Sequence, residues 1–96
     1  MKGQTSTGFK FEVSDSIGKD FRVLRAYQKI NSGDQEKNLM GSLELVDVVM
    51  GSDKEVDRLV DHVVSRQGFA DSEAIYQEVS EILQQAGDQI KSLKNS

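Results

Sequence analysis

The chain has 96 residues, 36% of them apolar and 29% charged, with sixteen acidic against twelve basic side chains and a net charge of -4. That length supports one domain over residues 1–96, and no stretch approaches the ~20 apolar residues of a membrane span. The absence of cysteine excludes disulfide scaffolds and thiolate metal centres, and the acidic balance lacks the basic footprint of a nucleic-acid binder.

Proline is absent, so glycine punctuates the chain. Residues 1–7 read as a flexible tail or a hairpin arm. Phe9, Phe11 and Val13 then alternate with Lys10 and Glu12, the period of a half-buried strand. The only segment that can fold back to pair with it is the polar Gln4–Thr7 stretch. A strand without a mate is a template for another chain, which makes Phe9, Phe11 and Val13 candidates for self-association into a homo-oligomer. An internal hairpin through Gln4–Thr7 is the alternative.

After Ser14–Asp15 the period becomes helical. The spacing predicts a first helix over 16–31, burying Ile17, Phe21 and Leu24, with Val23, Tyr27 and Ile30 widening the face. A second helix, capped by Ser32 or Asp34, is expected to bury Leu39, Leu43, Val46 and Met50, with Val49 alongside, and to stop at Gly51. Gly41 either weakens it by ~1 kcal/mol relative to alanine or admits a neighbouring helix at close range. Ser52-Asp53-Lys54-Glu55 is a capping box that opens a third helix with Val56, Leu59, Val60, Val63 and Val64 inward, ending at Gly68. The fourth helix starts near Asp71 or Ser72 and runs to about Leu93, bent or interrupted at Gly87. Its stripe of Ile75, Val79, Ile82, Ala86, Ile90 and Leu93 thins toward the end, so Ile82, Ala86, Ile90 and Leu93 are candidates for partner binding, ahead of a flexible end at 94–96. The expected fold is mainly α: a small four-helix domain with a short N-terminal β-strand or hairpin.

The residues that carry chemistry are sparse. His62 falls off the 56/59/60/63 face and is expected at the rim or in solvent. Asp57/Asp61 and Glu78/Glu81 pair carboxylates on the polar sides of helices, where both members of each pair stay ionised, so neither supplies the divergent pair that acid–base catalysis needs. No phosphate loop or nucleophile elbow is written. A DNA-reading third helix is disfavoured by Asp53, Glu55, Asp57 and Asp61 against Lys54, Arg58 and Arg66. The expectation is a protein with no catalytic, cofactor or metal residues, acting without nucleic acid or membrane.

Several phrases, in order along the chain, resemble the tail assembly chaperones of long-tailed phages of Gram-positive bacteria. They are Ser6-Thr7-Gly8-Phe9-Lys10-Phe11-Glu12-Val13, Asp20-Phe21-Arg22-Val23-Leu24, Val48-Val49-Met50-Gly51, Leu59-Val60-Asp61-His62-Val63, Ala74 to Leu83, and the ending Lys94-Asn95-Ser96. The chain departs from that pattern at Gln67-Gly68-Phe69-Ala70-Asp71, where the family carries a proline-containing link. The resemblance implies a non-enzymatic viral or prophage protein in the host bacterial cytoplasm that binds the tape-measure protein during tail tube assembly. It implies the major tail tube protein as a further partner, and a longer isoform made by a ribosomal frameshift near the ending. A small acidic helical adaptor or regulatory protein, dimeric and binding another protein, is the competing reading.

Overall fold

A computed structural model, which describes residues 1–95 with their side chains through residue 87, has the chain folding back at its start. Lys2–Gln4 (β1) and Lys10–Glu12 (β2) pair antiparallel, with Lys2 opposite Glu12, Gly3 opposite Phe11 and Gln4 opposite Lys10. The strand therefore has its mate within the chain, two residues closer to the N-terminus than the sequence suggests. Gly3 is what lets the Phe11 ring lie across the partner strand, since a Cβ there would stand 2.5 Å from Phe11 Cζ. Gly8, at φ 93°, supplies the left-handed residue of the connecting turn.

Four helices follow: α1 (Phe21–Ile30), α2 (Gln35–Met50), α3 (Asp53–Gln67) and α4 (Ser72–Asn95). The mainly helical fold with an N-terminal hairpin is the one the sequence predicts. The first helix is shorter than expected. Asp20 adopts an extended conformation and accepts the Arg22 N–H, so the helix begins after it and Ile17–Lys19 form a separate 3-10 turn. Val23 and Ala26 face inward, whereas Phe21 and Leu24, expected in the core, are exposed.

Asp34 caps α2 by accepting the N–H groups of Glu36 and Lys37. The inward face of α2 is Gly41, Leu45, Val49 and Met50, with Val46 half-buried against the core; Val49 and Met50 lie where the expected stripe put them, whereas Leu39 and Leu43 point outward. Gly51 and Gly68 end α2 and α3 in left-handed geometry, as expected. The Ser52 side chain accepts the Glu55 N–H, but the Glu55 carboxylate pairs with Arg58 instead of reaching back, so the capping box is half made.

In α3, Leu59 and Val63 are buried and Val56 packs at the core edge, while Val64 lies outside. α4 passes through Gly87 without interruption. The core gathers Phe9, Phe11 and Val13 of the hairpin and Ile17 of the turn around α2, α3 and α4. Leu45, Leu59, Val79 and Ile82 are its largest fully buried side chains, each worth about 1.5–3 kcal/mol of burial. Among the described residues, no helix is long and apolar enough to cross a membrane.

Candidate functional site

Two of the sequence-predicted sites fall inside this core. Phe9, Phe11 and Val13, the candidates for self-association, are buried against the helices. Each edge of the hairpin also receives one side-chain donor. The Gln85 side chain donates to the Gln4 carbonyl at 2.9 Å, and Arg58 Nη2 donates to the Lys10 carbonyl at 2.7 Å while its guanidinium lies 4.4 Å from the centre of the Phe9 ring. Ile82 and Ala86, two of the candidates for partner binding, are also in the core, because α4 lays that stripe on the hairpin and on α2. Ile90 and Leu93 lie outside the residues whose side chains are described.

The polar residues singled out in sequence do converge, but as a clamp on the hairpin turn. Thr7 donates its hydroxyl proton to Glu78 Oε1. With that proton committed, His62 Nε2 donates to the Thr7 oxygen across 2.9 Å, and the imidazole lies 5.3 Å from the Phe9 ring. Glu81 accepts from both the Ser6 N–H and the Ser6 hydroxyl at 3.0 Å. Glu78, expected on a solvated face, is only 4% exposed, and its Oε2 finds no partner among the described residues. His62, expected at the rim or in solvent, is half-buried.

A cavity of about 120 Å³ adjoins this cluster, lined by Ser6, Thr7, Arg66, Glu78 and Glu81 among others. The order of the groups decides what the cluster can do. Nucleophilic catalysis needs the imidazole between hydroxyl and carboxylate, whereas here the hydroxyl sits between imidazole and carboxylate. The arrangement holds the turn onto α3 and α4. No group of three or more metal-ligating side chains occurs among the described residues.

The outward face of α2 is different in kind. Leu39, Met40 and Leu43 are 63%, 56% and 58% exposed. Their spacing puts them on one side of the helix, with Glu36 and Asp47 extending the same stripe at either end. Both acids are exposed, and neither forms an ion pair among the described residues. Leu39 also lines an open groove of about 540 Å³ between the α1–α2 turn and the start of α4, together with Ile30, Asp34, Ser42, Glu73 and Tyr76. That groove contains no lysine or arginine. On α1, Phe21 and Leu24 add a separate exposed pair. Contiguous exposed apolar side chains rimmed by polar ones mark interaction sites on small domains.

Sequence reasoning placed Leu39 and Leu43 in the core and so missed this face. The signal that could have found it is Gly41, the small residue that marks where α2 meets α1. Comparison with protein-family models, with curated proteins and with solved structures returns no match for this chain.

Proposed function

We propose that the chain is a non-enzymatic tail assembly chaperone of the long-tailed phage type, which holds the tape-measure protein through the outer face of α2 while the tail tube is built around it. The observation that carries this reading is the exposure of Leu39, Met40 and Leu43 on a helix whose opposite face is fully packed. A helix of that kind has an internal anchor and an unspent external surface, the arrangement that receives an amphipathic partner helix. The ordered sequence resemblance supports the identity of the partner, and the bacterial host cytoplasm is where such assembly takes place.

The reading is tested by looking for a tape-measure gene beside the one for this chain and co-expressing its product with the chain. The two co-purify, and the double variant Leu39→Ala/Leu43→Ala, which leaves the core intact, loses the tape-measure protein. Absence of a tape-measure gene in the neighbourhood, or retention of the protein by the double variant, would overturn it.

A further inference from the structure

The stripe on α2 carries more than hydrophobicity. Read along the helix it is Glu36, Leu39, Met40, Leu43, Asp47: acid, three apolar side chains, acid, at offsets of three, four, seven and eleven residues from Glu36. At 1.5 Å per residue the two carboxylates stand about 16 Å apart along the helix, with the apolar side chains between them. Among the described residues, neither carboxylate forms an ion pair. The one cation on the element, Lys37, is exposed and stands about 100° around the helix from Glu36, toward the side that meets α1. Lys29 is held by Glu44 at 2.6 Å on that same side. Glu73, exposed at the start of α4, adds a third free carboxylate on the wall of the adjoining groove.

We infer that this face takes a basic amphipathic helix, with apolar side chains at helical spacing flanked by lysine or arginine about three turns apart. The inference rests on the proposed function and names the chemistry of the partner segment at that site. Two features select this occupant. Charge complementarity favours a cation at each end of the apolar patch. A second copy of the chain is disfavoured by the same charges, since a two-fold contact through α2 would set Glu36 or Asp47 against Asp47 or Glu36 of the other copy. An acidic or neutral partner would leave both carboxylates desolvated at the rim without compensation.

The test uses the full chain and two synthetic helical peptides that share one apolar pattern, the first flanked by lysine and the second by glutamate, followed by fluorescence anisotropy. The lysine peptide should bind at least about tenfold more tightly than the glutamate peptide, weaken as salt is raised, and lose that advantage against Glu36→Gln/Asp47→Asn. It should not bind Leu39→Ala/Leu43→Ala. Equal binding of the two peptides would overturn the inference. So would retention of the lysine peptide by the alanine double variant, which would mark unspecific attraction to an acidic chain. A dimer in light scattering that dissolves on Leu39→Ala/Leu43→Ala would give the face to a second copy and overturn it as well. If the lysine peptide fails while the tape-measure protein is still retained through Leu39 and Leu43, the basic chemistry is wrong and the chaperone reading stands; if both fail, the chaperone reading falls with it.

Discussion

Gly41 of α2 lies against the backbone of Ala26 in α1, so closely that a Cβ on it would stand 2.7 Å from the Ala26 carbonyl oxygen and 2.8 Å from Lys29 Cβ. That approach sets the rotation of α2. With Gly41 turned toward α1, Leu45 and Val49 fall on the core and Leu39 and Leu43 on the outside.

Gly41→Ala is therefore expected to destabilise the protein despite the ~1 kcal/mol that alanine gains in helix propensity. The clash is with backbone rather than with the end of a flexible side chain, so overpacking of about 1–3 kcal/mol prevails. Denaturant unfolding of the variant should show a lower midpoint, and a raised midpoint would show that the helices separate freely.

The two faces of α2 are separable by a pair of identical substitutions. Leu45→Ala removes a fully buried side chain and should cost about 2–5 kcal/mol. Leu43→Ala, at 58% exposure, should change stability by no more than about 0.5 kcal/mol. Melting of the two variants side by side checks the assignment, and equal losses would contradict it.

That pair also shows where the sequence is legible and where it is not. The helix start at Ser52 and the stops at Gly51 and Gly68 depend on residues within one turn, and local pattern predicts them correctly. α2 is apolar on two sides. Leu39, Met40 and Leu43 share one side at helical spacing, and Gly41, Leu45 and Val49 share another, so periodicity alone cannot choose the buried set. The contact with Ala26 chooses it, and that contact is tertiary. On α1 the Asp20 cap sets the helix start, and the buried side is Val23 and Ala26 rather than Phe21 and Leu24. The burial of Glu78 depends on Thr7, seventy-one residues earlier, and no local pattern could announce it.

Thr7 is the common partner of His62 and Glu78, so its hydroxyl should matter more than its exposure suggests. Thr7→Val keeps the shape and removes these two hydrogen bonds and the one to the Thr5 hydroxyl, leaving the buried Glu78 carboxylate without the one donor it has among the described residues. A loss of about 1–3 kcal/mol is expected, measured by chemical denaturation. A variant as stable as the parent would mean that the clamp holds the turn by packing alone.

Burial raises the Tyr27 hydroxyl above the ordinary tyrosine value of about 10, with the nearby Tyr76 adding to the shift. The unfolded chain then loses this proton first as pH rises. The contribution of Tyr27 to stability is full below about pH 10 and falls as pH climbs through the raised value. Tyr27→Phe should reduce the loss of stability at alkaline pH, read as the difference between the two unfolding midpoints plotted against pH. Parallel curves for parent and variant would contradict the shift.

The outer face of α2 as the partner-binding surface is tested most directly by methyl-detected NMR of the labelled chain titrated with the tape-measure protein. The methyl signals of Leu39, Met40 and Leu43 should move or broaden first, while those of Leu45, Leu59 and Ile82 in the core stay in place. Perturbation confined to other surfaces, with the three α2 methyls unchanged at saturation, would contradict it.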